Sequence, residues 1–202
     1  MKIGILALQG SFNEHKMMLD KLGKQAKQET EKKQKIEAVE VRLPEQLNDI
    51  DGLIIPGGES TTLTQLLDKY NFDLKKFNKP IFGTCAGCIV LAKLGLLNIN
   101  VKRNAYGSQL YSFVDDIEIT FEKKGMKEKI KEIFRERFKC VFIRAPKIIS
   151  AGENVSILGE HNNEPVLVKQ GNILGATFHP ELSEDTRVHR FFLDIVKETN
   201  FK

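Results

Sequence analysis

The chain has 202 residues, of which 41% are hydrophobic, and it carries a formal net charge of +4 at pH 7. This composition supports one ordinary hydrophobic core and excludes a disordered or low-complexity chain. Every apolar run falls short of the ~18 residues that a membrane span needs, and the first strand is too short for a signal peptide. The three cysteines cannot all pair, which favours free thiols and a cytoplasmic protein.

The positive charge is concentrated in residues 24–35 and 123–139, where lysines are interleaved with glutamates. Such patterning is typical of solvated helical faces, and a docking surface is the alternative. Nucleic-acid binding usually requires a denser basic face, so no nucleic-acid partner is expected.

The first half of the chain alternates between strand and helix patterns. Strands are expected at residues 3–8, 38–42, 53–55 and 80–82, and helices are expected after Ser11, at 60–70 and at 88–97. Gly23 could close the first helix, and the charged segment 24–37 is either an extension of that helix or a protruding loop. The β-α-β-α-β order indicates parallel strands joined by right-handed crossovers.

The second half has a more antiparallel pattern. Short strands separated by turn signals are expected at residues 114–121, 141–143, 155–158, 165–169 and 173–178. Helical spacing of apolar residues predicts helices over 122–138 and 187–197. The predicted fold is one α/β domain over residues 1–202, with a central, mostly parallel sheet flanked by helices and short antiparallel strands in its second half.

A cysteine flanked by glycines lies where the fourth strand meets the next helix. Residues 82–87 read Phe-Gly-Thr-Cys-Ala-Gly. Gly83 and Gly87 suit a sharp turn that a Cβ atom would obstruct, and such a turn lifts the sulfur of Cys85 clear of the sheet. The free N–H groups and the dipole of the helix favour the thiolate there. The pattern therefore predicts a nucleophile elbow.

Two further loops contain groups that this nucleophile would need. His179 and Glu181 follow another apolar run, and they suit the roles of a base and the carboxylate that orients it. The Gly57–Gly58 turn follows the third strand, and its N–H groups could bind an oxyanion together with the N–H of Ala86. Ligands gather at the carboxyl ends of strands in open α/β sheets, so we expect these loops to meet.

The spacing of Cys85 and Cys88 is also typical of a thioredoxin-like redox site. A redox site would leave the glycines and the His-Pro-Glu segment unexplained, whereas a hydrolytic site allows Cys88 to pack as a small hydrophobe. A metal site that uses Cys140 as well lacks a second paired-ligand motif. His15 and His161 are interpreted as surface residues. His189 is interpreted as an exposed or capping residue of the last helix.

Several segments resemble one known family over almost the whole chain. Besides residues 83–87 and 179–182, they are Leu-Gln-Gly at 8–10, Pro-Gly-Gly-Glu-Ser-Thr-Thr at 56–62, Arg-Asn-Ala-Tyr-Gly at 103–107 and Phe-Ile-Arg-Ala-Pro at 142–146. Together they resemble the class I, triad-type glutamine amidotransferases. Within this family they are most similar to the glutaminase subunits of pyridoxal 5'-phosphate synthases.

The resemblance implies hydrolysis of L-glutamine to L-glutamate and ammonia through a cysteine thioester, without a cofactor or metal. It implies a catalytic triad of Cys85, His179 and Glu181. It also implies that a synthase subunit accepts the ammonia, and that the oxyanion peptide near Gly57–Gly58 becomes productive only in that complex. The residues that would hold glutamine are Gly58, Glu59, Ser60, Arg103, Ile143 and Arg144. An arginine fork suits the carboxylate of an amino acid.

The chain departs from the family pattern in three places. Segment 24–37 resembles an insertion, and the helix expected around residues 126–138 is longer than usual in the family. Ser108 stands where a basic residue is common. The alternative functions are a glutaminase for another synthase, such as the one for imidazole glycerol phosphate, a cysteine peptidase or chaperone-like protein of similar fold, and a non-catalytic binding module. The intact Cys-His-Glu set argues against the last of these.

Overall fold

The computed structural model describes residues 1–29, 35–103, 112–120 and 137–200. Within these ranges the strands are β1 Lys2–Leu6, β2 Glu37–Val41, β3 Gly52–Ile55, β4 Ile81–Thr84, β5 Ile99–Lys102, β6 Ser112–Glu118, β7 Arg137–Ile143, β8 Lys147–Ala151, β9 Ser156–His161, β10 Glu164–Gln170 and β11 Ile173–Ala176. The α-helices are α1 Phe12–Glu29, α2 Ser60–Lys69, α3 Ala86–Lys93 and α4 Arg187–Asn200. None of these helices is long and apolar enough to cross a membrane.

Seven of the described strands form the central sheet, in the order β2-β1-β3-β4-β11-β10-β9. The first five strands are parallel, and β10 and β9 add an antiparallel edge. Two antiparallel pairs, β5–β8 and β6–β7, lie outside this sheet. The predicted fold class is therefore confirmed.

Helices cover both faces of the sheet because its central strands are apolar on both sides. Ile54 packs with Leu19 of α1 and Phe192 of α4 on one face. Its neighbours Leu53 and Ile55 belong to the cluster on the other face, which includes α2 and α3. Side chains alternate along a strand, so a continuous apolar run is what a doubly covered strand requires.

Some predicted elements end elsewhere than expected. Helix α1 continues past Gly23 to Glu29, so the start of the charged segment is an extension of the helix. Helix α3 begins at Ala86 and ends at Lys93, earlier than the predicted 88–97. Arg137 and Phe138 belong to β7 instead of the predicted helix 122–138. The rest of that predicted helix and Ser108 lie outside the described residues. Strands β5 and β8 are present in the structure but were not predicted from the sequence.

The sheet order brings three loops together. Strands β3, β4 and β11 are direct neighbours and run in the same direction. The loops after them begin with Pro56, Cys85 and Thr177, so all three open at the same edge of the sheet. This edge holds the candidate site.

Candidate active site

Cys85 occupies a strained turn between β4 and α3. Its backbone angles are φ 45° and ψ −102°, a region that residues with a Cβ atom rarely adopt. Only glycines fit on either side: a Cβ on Gly83 would lie 2.7 Å from the carbonyl carbon of Gly87, and one on Gly87 would lie 2.1 Å from the Ile55 oxygen. The N–H of Cys85 donates to the Ala176 carbonyl at 2.8 Å, which ties the turn to β11. The predicted elbow is present.

His179 lies beside the cysteine and contacts Glu181. The distance between His179 Nδ1 and Glu181 Oε1 is 2.8 Å, and both residues are buried. Burial disfavours a charged ring, but hydrogen bonds with Cys85 and Glu181 outweigh it and raise the pKa of His179 to about 10. The site therefore favours an imidazolium that lies between Cys85 and the Glu181 carboxylate, which is the arrangement that activates a cysteine nucleophile.

Glu181 is held by more than His179. Ser11 Oγ donates to Glu181 Oε1 at 2.6 Å, and His15 Nε2 lies 3.5 Å from the other carboxylate oxygen. Burial would raise the pKa of Glu181, but the His15 ring and the hydrogen bonds from His179 and Ser11 lower it to about 2. Glu181 is therefore ionised when it faces His179.

The Gly57–Gly58 turn packs against both His179 and the loop after β1. A Cβ on Gly57 would lie 2.3 Å from His179 Cε1, and the Gly57 carbonyl accepts from the Ser11 N–H at 3.2 Å. Gly58 has φ +153°, and its Cβ position is occupied by the Gln9 side chain. Gln9 also pairs with the backbone of Glu59, donating to its oxygen at 3.3 Å and accepting from its N–H at 3.2 Å. Gln9 therefore stabilises the orientation that this turn has in the chain alone.

The N–H of Ala86 is the other predicted oxyanion donor. Ala86 is the first residue of α3, and it is buried directly after Cys85. The first N–H groups of a helix have no acceptor within the helix. Its position therefore suits a negatively charged oxygen next to the sulfur.

A cavity of about 300 Å³ opens onto the cysteine. Every residue that the resemblance implies for glutamine binding lines it, together with Cys85, His179 and two residues that were not predicted, Ile89 and Pro146. Arg103 donates to Glu59 Oε1 at 3.1 Å in this pocket. Hydrogen bonds from the N–H groups of Thr61 and Thr62 lower the pKa of Glu59 to about 2, so the carboxylate remains charged and caps α2.

Ile143 and Arg144 reach the cavity from the end of β7. Cys85 Sγ lies 3.8 Å from the Ile143 carbonyl oxygen. Arg144 has φ 47°, an uncommon conformation for a residue with a side chain. The strand thus ends with a reversed backbone that brings both residues to the pocket.

The interpretation of three histidines as surface or capping residues was wrong. His15 and His189 are fully buried, with 2.9 Å between His15 Nδ1 and His189 Nε2. His161 is mostly buried and lies 2.9 Å from Asp115, against the Phe142 ring. Helical spacing offered a signal, because His15 precedes Leu19 by four residues and His189 precedes Phe192 by three, so both lie on apolar stripes.

The C-x-x-C alternative gains no support from the packing of Cys88. This residue is fully buried, and a Cβ placed on Gly175 would lie 3.1 Å from its sulfur. Burial, with a smaller contribution from the nearby Cys85, raises the pKa of Cys88 to about 12, so the group stays a thiol. All three cysteines are unpaired. Cys88 packs as a small hydrophobe, as the hydrolytic interpretation requires.

The buried histidines predict that stability falls when the pH drops below about 6.5. Burial lowers the pKa of His15 from 6.5 and that of His189 to about 3. The unfolded chain then binds more protons than the folded one, so each ring reduces the free energy of unfolding by up to about 1.4 kcal/mol per pH unit. Urea unfolding between pH 7.5 and 5 measures this slope. A His189→Leu variant should have a shallower slope, and an equal slope would contradict the prediction.

The fold and the site together define a class of protein. A parallel α/β sheet that presents a strained cysteine beside a buried His-Glu pair is typical of cysteine-dependent hydrolases with a nucleophile elbow. More particularly, the chain belongs to the SNO glutamine amidotransferase family, whose model matches residues 5–198.

Similar proteins cover the chain along its length. The pyridoxal 5'-phosphate synthase subunit PdxT of Thermosipho africanus is 45% identical over 212 residues, which covers 98% of this chain and 100% of the relative. The subunit of the same name from Thermotoga maritima is 44% identical, with the same coverage. A solved structure described as a glutamine amidotransferase superposes with a TM-score of 0.79 at 41% identity, over 96% of this chain and 98% of that one.

Proposed function

We propose that this chain hydrolyses L-glutamine to L-glutamate and ammonia, and that a pyridoxal 5'-phosphate synthase subunit uses the ammonia. The observation that carries the proposal is the strained Cys85 next to the His179–Glu181 pair, at the base of a cavity that two arginines line. Family membership and the names of the relatives support the same chemistry and the same partner.

In the first half of the reaction, the Cys85 thiolate attacks the side-chain amide carbon of glutamine. A carbon–sulfur bond forms, and the negative charge moves to the amide oxygen. The N–H groups of the Gly57–Gly58 turn and of Ala86 stabilise this oxyanion. Protonated His179 donates its proton to the amide nitrogen, the carbon–nitrogen bond breaks, and ammonia leaves a thioester behind.

In the second half, neutral His179 takes a proton from water, which attacks the thioester. The carbon–sulfur bond breaks, and glutamate leaves with the regenerated thiolate–imidazolium pair. Glu181 does not gain the proton, because its low pKa makes it a poor acceptor, and it orients the ring throughout.

Glutamine is held by the residues at the mouth and wall of the cavity. The guanidinium groups of Arg103 and Arg144 are suited to the α-carboxylate, since an arginine fork matches a carboxylate in shape and charge. The carboxylate of Glu59 already pairs with Arg103 and supplies the negative charge that an α-ammonium group requires. The backbone of Gly58, Ser60 and Ile143 completes the wall.

The chain acts as one glutaminase domain over residues 1–202 in a hetero-oligomer with the synthase subunit. Unpaired cysteines suit the reducing cytoplasm, where we place this reaction. The ammonia must reach the synthase unprotonated, because ammonium is not a nucleophile. A direct contact between the two proteins therefore serves the chemistry.

Adding the synthase subunit of the same organism should raise glutamate release by about tenfold or more, because a contact beside the site shifts the Gly57–Gly58 peptide toward its productive orientation. The measurement is the steady-state rate of glutamate formation with and without the synthase. Gly58→Val should stay impaired at saturating synthase, because the new side chain would overlap Gln9. Equal rates with and without the synthase would refute activation and leave the glutaminase chemistry intact.

A further inference from the structure

A group of buried polar side chains lies behind the proposed triad, on the side away from the cavity. It consists of His15 of α1, His189 of α4 and Thr84 of β4, and none of these residues is exposed. Burying two imidazole rings in an apolar core is costly unless their polar atoms find partners. The group therefore calls for an explanation that apolar packing does not provide.

The contacts of His15 assign its protons. Its Nε2 atom lies 3.1 Å from Thr84 Oγ1 and 3.5 Å from Glu181 Oε2. An ionised carboxylate accepts but cannot donate, so the proton of His15 belongs on Nε2. Nδ1 is then an acceptor, and the Nε2–H of His189 donates to it at 2.9 Å. The chain of contacts thus runs from His189 through His15 to the carboxylate.

The two oxygens of Glu181 have different partners. Oε1 accepts from Ser11 at 2.6 Å and is 2.8 Å from His179 Nδ1. Oε2 accepts no hydrogen bond from any described residue, and His15 Nε2 lies 3.5 Å from it. The His15 ring is thus the polar contact that the described residues give to the second oxygen, at 3.5 Å.

We propose that His15, supported by His189, is a positioning residue that holds Glu181 in the orientation that His179 needs. It does so as a neutral dipole beside the second carboxylate oxygen, and it also contacts Thr84, the last residue of the strand that directly precedes Cys85. A neutral ring suits this role better than a charged one, because a second imidazolium would compete with His179 for the carboxylate. This inference rests on the proposed function, since it assigns His15 to the same reaction.

The full burial of His15 supports the neutral form. Desolvation lowers the pKa of His15, and the charge on His179 acts in the same direction, while Glu181 and Glu14 oppose it. His189 faces it from α4, and burial lowers the pKa of His189 to about 3, so this ring is neutral as well. Burial in low dielectric also strengthens the contact between the N–H dipole and the carboxylate.

Three variants of His15 separate positioning from packing. His15→Leu removes the N–H and fills the same part of the core with an apolar side chain. His15→Gln places an amide N–H close to the Nε2 position, whereas the shorter side chain of His15→Asn does not reach it. Thr177→Val is the matched control, because Thr177 is also fully buried and its hydroxyl has no partner among the described residues.

The decisive measurement is the rate at which iodoacetamide alkylates Cys85 at pH 7, with the modified peptide identified by mass spectrometry. This rate reports the thiolate–imidazolium pair and needs neither glutamine nor the synthase. His15→Leu should be about 10- to 100-fold slower, His15→Gln should be within about threefold of wild type, and Thr177→Val should be unchanged. With synthase present, kcat for glutamine should fall in parallel in His15→Leu while KM stays within about twofold.

Alkylation of the His15→Leu variant at the wild-type rate would overturn the proposal. Circular dichroism shows whether the His15→Leu variant folds. If it does not, the His15→Gln and His15→Asn variants decide: equal alkylation rates in these two would overturn the proposal, and faster alkylation in His15→Gln would support it. If the wild-type chain with its synthase releases no glutamate, the proposed function fails, but the alkylation rates still test the position of Glu181.

Discussion

Cys85→Ala is expected to abolish glutamine hydrolysis, with a fall in kcat of about 10⁵-fold or more, because the sulfur is the atom that bonds to substrate. Binding of glutamine should persist, since the arginines that we propose to bind its α-carboxylate are untouched. The substitution removes one atom at the base of an open cavity, so the melting temperature should change little. Glutamate release at saturating synthase and glutamine binding by calorimetry measure the two effects.

Cys88→Ser is the matched control for this experiment. Cys88 lies three residues further along the chain, within α3, and it is buried in the core, where its thiol stays protonated. Serine there should reduce stability and leave most of the turnover of the folded protein. Equal loss of activity in the two variants would revive the redox interpretation, and substantial turnover in Cys85→Ala would refute the thioester mechanism.

The second large effect is expected at His179. His179→Asn should lower kcat by about 10⁵-fold, because the ring activates the thiol and carries the proton both to the leaving ammonia and from water. Glu181→Gln should cost less, about 10³- to 10⁴-fold, because Glu181 only orients and stabilises the ring. An amide also places an N–H₂ group where Ser11 and His15 both present donors, so the ring loses its fixed position.

Steady-state kinetics of both variants with saturating synthase measure this order. The KM for glutamine should change little in either, since we assign the α-carboxylate and the α-ammonium group of the substrate to other residues. A larger loss in Glu181→Gln than in His179→Asn would mean that the two roles are misassigned. Alkylation of Cys85 by iodoacetamide provides an independent comparison, because it depends on the same thiolate–imidazolium pair.

Local sequence determined those features that depend on near neighbours in the chain. The apolar runs at residues 53–55 and 81–82 predicted buried parallel strands, and glycines at 83 and 87 predicted the elbow, because a Cβ atom there would collide with nearby backbone. The segment that contains His179 and Glu181 was recognisable for the same reason, since the two residues are neighbours along the chain. Helix ends were less certain, because a glycine does not always end a helix, and α1 continues through Gly23.

Only the tertiary structure decided which distant groups meet. Ser11 and His15 lie near the start of the chain and contact Glu181, and His189 from the end of the chain contacts His15, because α1 and α4 cover the same face of the sheet. A histidine on the apolar stripe of a helix can be exposed at the edge of the stripe or buried at its centre. Burial is stable only where hydrogen-bond partners offset the free energy of desolvating the ring. The partners of His15 lie 69 residues away at Thr84 and 174 residues away at His189, and Glu181 lies 166 residues away, so local pattern alone assigned these histidines to the surface. The sheet order, by placing β4 beside β11, joined them to the cysteine.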